Sequence, residues 1–274
     1  LTDCVNYGDL NACAYNVRLG GITGHHQGTP SKFTRCINFG DITSTYSPAD
    51  AETKQGECRI GGLTACGCTP IEVYDCVNFG DIKHSMASAA QPTGGLIAYA
   101  TNSKGLVVVN SMNYGDVDVT SAAGPCVGGI VGWVTGNYAV VVTGCINAGA
   151  LNSSKDIGDL FVWRDAEVTG EGMLIENNYY LPAYTGSTPY APIIHNDGTT
   201  PGRSSYSDKC TQIEKSTLED GTPVGLAATM SAKTSAYGDA AEFKCVEIQI
   251  NEVEKMICVV PATILELIAD NIVA

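Results

Sequence analysis

The chain has 274 residues, 44% of them hydrophobic and 16% charged, which is enough to bury a core without cross-links and excludes a disordered polyelectrolyte. Its 29 acidic against 15 basic residues give a formal charge of -14, which repels phosphate backbones and anionic membranes and argues against nucleic acid as a partner. No run approaches the ~18 apolar residues that a membrane span requires, so no membrane insertion is expected of this stretch.

The first residues already carry a repeat. DCVNYGDL at Asp3 returns as RCINFGDI at Arg35, DCVNFGDI at Asp75, NSMNYGDV at Asn110 and GCINAGAL at Gly144. Since the chain starts inside this repeat, without an initiator Met or a leader, it reads as a piece of a longer protein. A second phrase lies between the copies: LGGITGH at Leu19, IGGLTAC at Ile60, TGGLIAY at Thr93, VGGIVGW at Val127 and a decayed IGDLFVW at Ile157. From cysteine position to cysteine position the periods are 32, 40, 35 and 34 residues, the range of solenoids and other arrays whose single units cannot bury an apolar face alone. The longest unit carries extra residues at STYSPADAETKQGE from Ser44, which reads as an inserted mobile loop.

Each unit alternates in the manner of strands, and none contains a run long enough for an amphipathic helix. That argues against helical repeats, and the absence of a Trp-Asp pair per unit weakens a propeller. A parallel β-solenoid is expected, with successive turns stacked at about strand spacing. Like positions then form ladders. Cys4, Cys36, Cys76, Ser111 and Cys145 line up inside, as do Leu10, Ile42, Ile82, Val117 and Leu151. Asn6, Asn38, Asn78, Asn113 and Asn147 are expected to stack at a bend, in a left-handed conformation that a short amide tolerates.

The pairing of G-G-[IL]-x-[GA] with a later C-x-N-x-G-x-[ILV] resembles the GLUG-motif repeats of bacterial secreted and surface proteins, among them large adhesins and the repeat region of some immunoglobulin A proteases. The resemblance covers roughly residues 1 to 180. It implies an all-β, right-handed parallel β-helix, here of about five turns, in which the repeats support or bind and do not catalyse. The chain departs from the pattern at Ser111, Ala148, Ala150 and IGDLFVW, decay that suits a terminal turn with nothing to stack upon it.

Beyond the repeats, residues 181–207 are rich in Pro, Gly, Ser and Thr and read as an irregular wrap or linker. Residues 208–274 read as a small α+β cap: a partly helical stretch, two strands at FKCVEIQI and EKMICVVP, and a final amphipathic helix at ATILELIADNIVA. Laid over the last turn, that helix would protect open strand edges. A separate α+β unit is the rival reading.

Stacked cysteines are expected as buried free thiols, because parallel Cβ directions suit a disulfide's torsion badly. Neither C-G-C at Cys66–Cys68 nor G-H-H-Q-G has the spacing of a zinc site, and no nucleophile motif accompanies the histidines. Two outward columns are candidates for ligand binding. Counted from the glycine pair, His25, Cys66, Tyr99 and Trp133 are equivalent, and His25, Tyr99 and Trp133 would offer rings to a sugar or a protein, unless a neighbouring segment covers them. The second column is Tyr7, Phe39, Phe79 and Tyr114, beside Asp9, Asp41, Asp81 and Asp116. Those aspartates read as turn caps, with calcium as the alternative; no other cofactor is expected.

The function expected from this pattern is a non-catalytic module, a rigid stalk or adhesin of a bacterial secreted or cell-surface protein. Its expected partners are a host glycan or extracellular protein, together with other domains of the parent chain. The alternative is a polysaccharide lyase or glycoside hydrolase, for which no carboxylate pair stands out as acid and base.

Overall fold

The computed structural model describes residues 1–13, 16–46, 58–67, 70–86, 92–101, 105–121, 126–136, 139–163, 172–186, 190–196, 201–222, 225–233 and 242–273. The insertion read at Ser44–Glu57 lies outside the described residues from 47 onward, as does Cys68.

The repeats coil into a parallel β-solenoid of about five turns, each unit stacked in register on the last. On one side Val5–Asn6, Ile37–Asn38, Val77–Asn78, Met112–Asn113 and Ile146–Asn147 pair Asn against Asn. The next side holds Leu10–Ala12, Ile42–Tyr46, Ile82–Met86, Val117–Ser121 and Leu151–Ser153, with Leu10, Ile42, Ile82, Val117 and Leu151 in one column. The glycine pair then folds each strand back into two arms, such as Cys58–Gly61 and Thr64–Gly67. A last side, from Ser31–Thr34 to Leu174–Glu176, returns the chain to the start of its next turn. Ile42, Ile60, Ile82, Val117, Leu151 and Ile157 pack together inside, as do Phe33, Leu63, Ile71, Leu96, Leu106 and Ile130.

The asparagine ladder is present, with a different geometry at the bend. Asn6 donates from Nδ2 to Asn38 Oδ1 at 2.7 Å, Asn38 to Asn78 at 2.8 Å, Asn78 to Asn113 at 2.9 Å and Asn113 to Asn147 at 2.9 Å. The same nitrogens also donate to the carbonyl two residues on, as Asn78 does to Gly80 at 2.8 Å. A buried amide satisfied on both sides, in a chain of bonds that polarise one another, is inexpensive to bury. The left-handed residue is not the asparagine. It lies three positions earlier, at Asp3, Arg35, Asp75 and Asn110 (φ 51 to 56°) and at Gly144 (φ 66°).

That turn explains the cysteine column. Rotation through the left-handed region aims the next residue's N–H along the stack, where the equivalent side chain of the following turn accepts it. Cys36 N donates to Cys76 Sγ at 3.3 Å, Cys76 N to Ser111 Oγ at 3.1 Å and Cys145 N to Asn178 Oδ1 at 3.0 Å. The position thus calls for a small side chain with an acceptor, which cysteine, serine and asparagine all supply. The thiols of Cys4, Cys36, Cys76 and Cys145 are free.

Two glycine positions are set by close approach between turns. A Cβ on Gly80 would fall 2.0 Å from the Gly40 carbonyl oxygen, and one on Gly95 would fall 2.3 Å from the Asn113 amide carbon. The second glycine of each pair therefore opens the space that the asparagine ladder fills. Where the pair becomes Gly158-Asp159 the bend remains, since a Cβ on Gly158 would fall 2.3 Å from the Phe161 carbonyl oxygen as one on Gly61 would fall 2.2 Å from that of Thr64, and Ile157–Trp163 is one seven-residue strand that pairs with both arms of the preceding turn. Asp159 is fully buried and receives the end of the ladder, with Asn147 Nδ2 at 3.4 Å from Oδ1.

The stretch 181–207, read from the sequence as an irregular wrap, carries further strands of the solenoid. Tyr184–Gly186 pairs with Leu151–Ser153 and Tyr190–His195 with Ile157–Trp163, both parallel. Asn178–Tyr180 and Cys210–Gln212 bring the asparagine side to seven strands. Their sequences lack the repeat phrase, which is why periodicity alone did not reach them.

The C-terminal segment is corrected in shape and position. The two strands are present, as an antiparallel hairpin of Phe243–Gln249 with Lys255–Pro261, and Lys215–Leu218 and Leu226–Ser231 are short helices. The last segment is not an amphipathic helix but two 3-10 turns, Ala262–Ile264 and Ala269–Asn271. The unit lies along the flank of the solenoid, not over its last turn. Ile248, Cys258, Val260, Ile264 and Ile268 are buried in one cluster with Phe39, Phe79 and Tyr114.

Candidate functional site

The aromatic column beside the asparagines does point away from the solenoid core. Its rings stack as a ladder, with centroids 5.1 Å apart for Tyr7–Phe39, 4.9 Å for Phe39–Phe79 and 5.6 Å for Phe79–Tyr114, all within 17° of parallel. The expectation of an open binding stripe fails for three of the four rings. Phe39, Phe79 and Tyr114 are buried under the C-terminal unit, and only Tyr7 is exposed. Tyr114 Oη donates to the Val259 carbonyl at 2.6 Å and accepts from Val259 N at 3.0 Å, which fixes the hairpin to the ladder. Tyr7 Oη lies 3.2 Å from Asn271 Oδ1, and Thr263 Oγ1 donates to Asp75 Oδ2 at 2.9 Å. The column is a docking strip for the chain's own C-terminus.

The aspartates next to this column bond from turn to turn. Asp9 Oδ1 accepts from Asp41 N, Asp41 Oδ1 from Asp81 N, Asp81 Oδ1 from Asp116 N and Asp116 Oδ1 from Ala150 N, at 2.7 to 2.9 Å. Each carboxylate thus caps the amide of the next turn, which is the geometry of the turn-cap reading. Among the described residues no group of three or more His, Cys, Asp or Glu side chains is placed to hold a metal ion.

His25, Cys66, Tyr99 and Trp133 do form one column, paired His25 to Cys66, Cys66 to Tyr99 and Tyr99 to Trp133. Cys66 is buried and the three rings are half-buried. The glycine fold-back accounts for this, because it lays the first arm against the outer side of the second. The Arg59 guanidinium sits 4.1 Å from the Tyr99 ring centroid and donates from Nη1 to Cys66 Sγ at 2.9 Å. Trp133 lies tilted beside Tyr99 at 5.7 Å. The face of Tyr99 is thus shared with Arg59, while His25 and Trp133 are half-buried in the same column.

Other ionisable groups are committed inside the fold. His84 is buried with Nδ1 at 2.9 Å from Thr93 Oγ1, and burial pushes its pKa down to about 4, so it is neutral at physiological pH. Burial raises the Asp159 carboxyl to about 7, although Tyr190 and Asn147 favour its charged form. No family model, no curated protein and no solved structure matches the chain.

Among the described residues an open concavity lies on the side that carries the aspartate caps. A groove of about 550 Å³ runs across its outer surface from Lys83 through Asp118 and Asn152 to Thr185, rimmed by Asp81, Asp116 and Tyr184. Lys83, Asp118, Asn152 and Thr185 are successive members of one outward column, paired turn upon turn. Asn152 Nδ2 donates to Asp118 Oδ1 at 2.7 Å. Tyr184 continues the inward column of Ile82, Val117 and Leu151, where it is 42% exposed and stacks on Tyr190, centroids 3.6 Å apart. Sequence reasoning passed over this site. Lys83, Asp118 and Asn152 each follow an inward Ile, Val or Leu, and that alternation was the available signal. Tyr184 belongs to the stretch without a repeat phrase and gave none.

Proposed function

We propose that the chain is a non-catalytic binding module of a bacterial secreted or cell-surface protein, a rigid column that holds a recognition surface for a glycan or an extracellular protein. The observation that carries this reading is how the repeated polar groups are used. The asparagines bond to one another, the aspartates cap the next turn, and the cysteines accept backbone amides. What the repeat conserves through its copies is thereby assigned to stacking, which leaves the outer faces to differ and to recognise. A scaffold with its contact groups on paired strands holds them with little entropy left to lose on binding.

The resemblance to GLUG-motif repeats and the acidic surface support the same reading, in which partners would be neutral or cationic and not nucleic acid. The test is a glycan and extracellular-matrix binding array run beside a polysaccharide depolymerisation screen. Binding without release of reducing ends or unsaturated products is expected. Turnover of any polysaccharide would replace this reading with a lyase or hydrolase.

A further inference from the structure

We infer that the open edge of the first turn is an interaction surface for one more complete turn of the same repeat, supplied by the parent polypeptide and stacked in the same parallel sense. This surface is separate from the outer faces left for recognition and does not depend on what they bind.

Gly8 is the residue that points to it. At Gly40, Gly80, Gly115 and Gly149 an added Cβ would fall 2.0 to 2.1 Å from the carbonyl oxygen of the equivalent glycine one turn earlier. A side chain there would hold the turns apart. At Gly8 an added Cβ would meet nothing nearer than Asn6 Oδ1 at 3.8 Å, and the backbone is not left-handed. Nothing among the described residues requires glycine at this position, whereas a carbonyl stacked on it from a further turn would.

The polar groups of the same edge are the unused halves of bonds that later turns complete. Ile37 N and Phe39 N donate back to the Cys4 and Asn6 carbonyls and Asp41 N to Asp9 Oδ1, and Val77, Phe79 and Asp81 repeat this one turn on. The equivalent donors of the first turn are Val5 N, Tyr7 N and Asp9 N. No acceptor meets them among the described residues. Asn38 Oδ1 and Asn78 Oδ1 accept from the previous asparagine, but Asn6 Oδ1 takes its own Gly8 N at 3.2 Å instead. Apolar surface agrees. Tyr7 stacks one face on Phe39 and is 57% exposed, while Val5 and Leu10 are half-buried where Ile37 and Ile42 are fully buried. Covering the edge removes apolar area and unpaired strand groups from water together.

Two further observations choose the occupant. The second glycine of each pair lies over the asparagine of the next turn: a Cβ on Gly21, Gly62, Gly95 or Gly129 would fall 2.2 to 2.4 Å from the side chain of Asn38, Asn78, Asn113 or Asn147. Asn6 has no such glycine over it, so a lone strand does not complete the edge and a turn carrying both phrases does. The ladder is also directional, with Oδ1 toward the first turn's edge. Two copies meeting head to head would set one Asn6 Oδ1 acceptor against the other. A turn joined at Leu1 meets the edge at high effective concentration, because Thr2 pairs with Thr34 in the strand that leads from one turn into the next.

The experiment joins a second copy of residues 73–107 to Leu1, which shares the register of Val73 and Val108. Amide hydrogen exchange at Val5, Tyr7 and Asp9 is followed together with the melting temperature. Slowing of these amides by about a hundredfold and a higher melting temperature are expected. Gly8→Ala is made with and without the added turn. Without it the melting temperature should not change; with it the protection gained should be lost, while the amides of Val77 and Phe79 stay protected and show that the rest is folded. Gly95→Ala, confined to the added copy, places its Cβ against Asn6 and is the second block should the first variant misfold. Exchange that the added turn leaves unchanged, or protection that neither substitution removes, would overturn the inference. Protection already present without the added turn, in a dimer that dissociates on dilution, would make the edge an interface between copies and overturn the occupant.

Discussion

Two neighbouring strips of this solenoid begin from nearly the same repeated phrase and end differently. Tyr7, Phe39, Phe79 and Tyr114 are stacked and, after the first, covered by the C-terminal hairpin of Phe243–Gln249 and Lys255–Pro261, whereas the adjoining strip of Lys83, Asp118, Asn152 and Thr185 stays open as a groove. Both strips face outward, so orientation alone does not decide which of them is covered. Composition decides it. A ladder of flat rings leaves a continuous apolar stripe that water disfavours, and a segment of the same chain is always at high effective concentration to cover it. A column of Lys, Asp, Asn and Thr makes no such demand and remains hydrated.

The sharpest way to break this contrast is to remove a ring from the covered strip. Phe79→Ala takes away a buried side chain that stacks on two neighbours and packs under the C-terminal unit. A loss of about 3–5 kcal/mol in urea or thermal unfolding is expected. A loss below about 1 kcal/mol would mean that the hairpin does not depend on the ladder.

The next effect concerns the end of the asparagine ladder. Asp159 takes the place of a glycine and is held at a pKa of about 7, above its ordinary value of 3.8, so the folded state binds its proton more tightly than the unfolded chain does. Its contribution is therefore intact below about pH 4 and declines as pH rises to about 7, by at most about 4 kcal/mol over that window. Asp159→Asn keeps an acceptor for Asn147 and removes the charge. The variant should match the parent near pH 4 and be more stable at pH 8 by a few kcal/mol, read from melting temperatures across the range. Parallel pH profiles for the two proteins would show that the carboxylate is not strained by burial.

How far the sequence could be read follows from the same contrast. Stacking was legible because it uses identical residues at each turn: Asn78 on Asn113 and Ile82 on Val117 are visible in the phrase itself. The left-handed position was not, because Asp3, Arg35, Asp75, Asn110 and Gly144 share no side chain, only a backbone angle. Cover was also invisible. That Phe79 lies under Val259 and Ile264 depends on a segment with no repeat and on where its turns place it. The groove escaped for the complementary reason. Its residues vary from turn to turn, and Tyr184 lies where the phrase has faded although the strands continue.

The smallest effects test the contrast most finely, because the same atom can be removed from a covered ring and from an exposed one. Tyr114→Phe removes a buried hydroxyl that serves Val259 as acceptor and donor, leaving a backbone N–H and a carbonyl unpaired away from water. About 1–3 kcal/mol should be lost. Tyr184→Phe deletes the same atom from a ring that is 42% exposed and stacked on Tyr190, where any group the hydroxyl served can turn to water. Its cost should stay within about 0.5 kcal/mol. Equal losses of stability at the two tyrosines would mean that the pairing of the Tyr114 hydroxyl with Val259 adds nothing to the hold of the hairpin on the ladder.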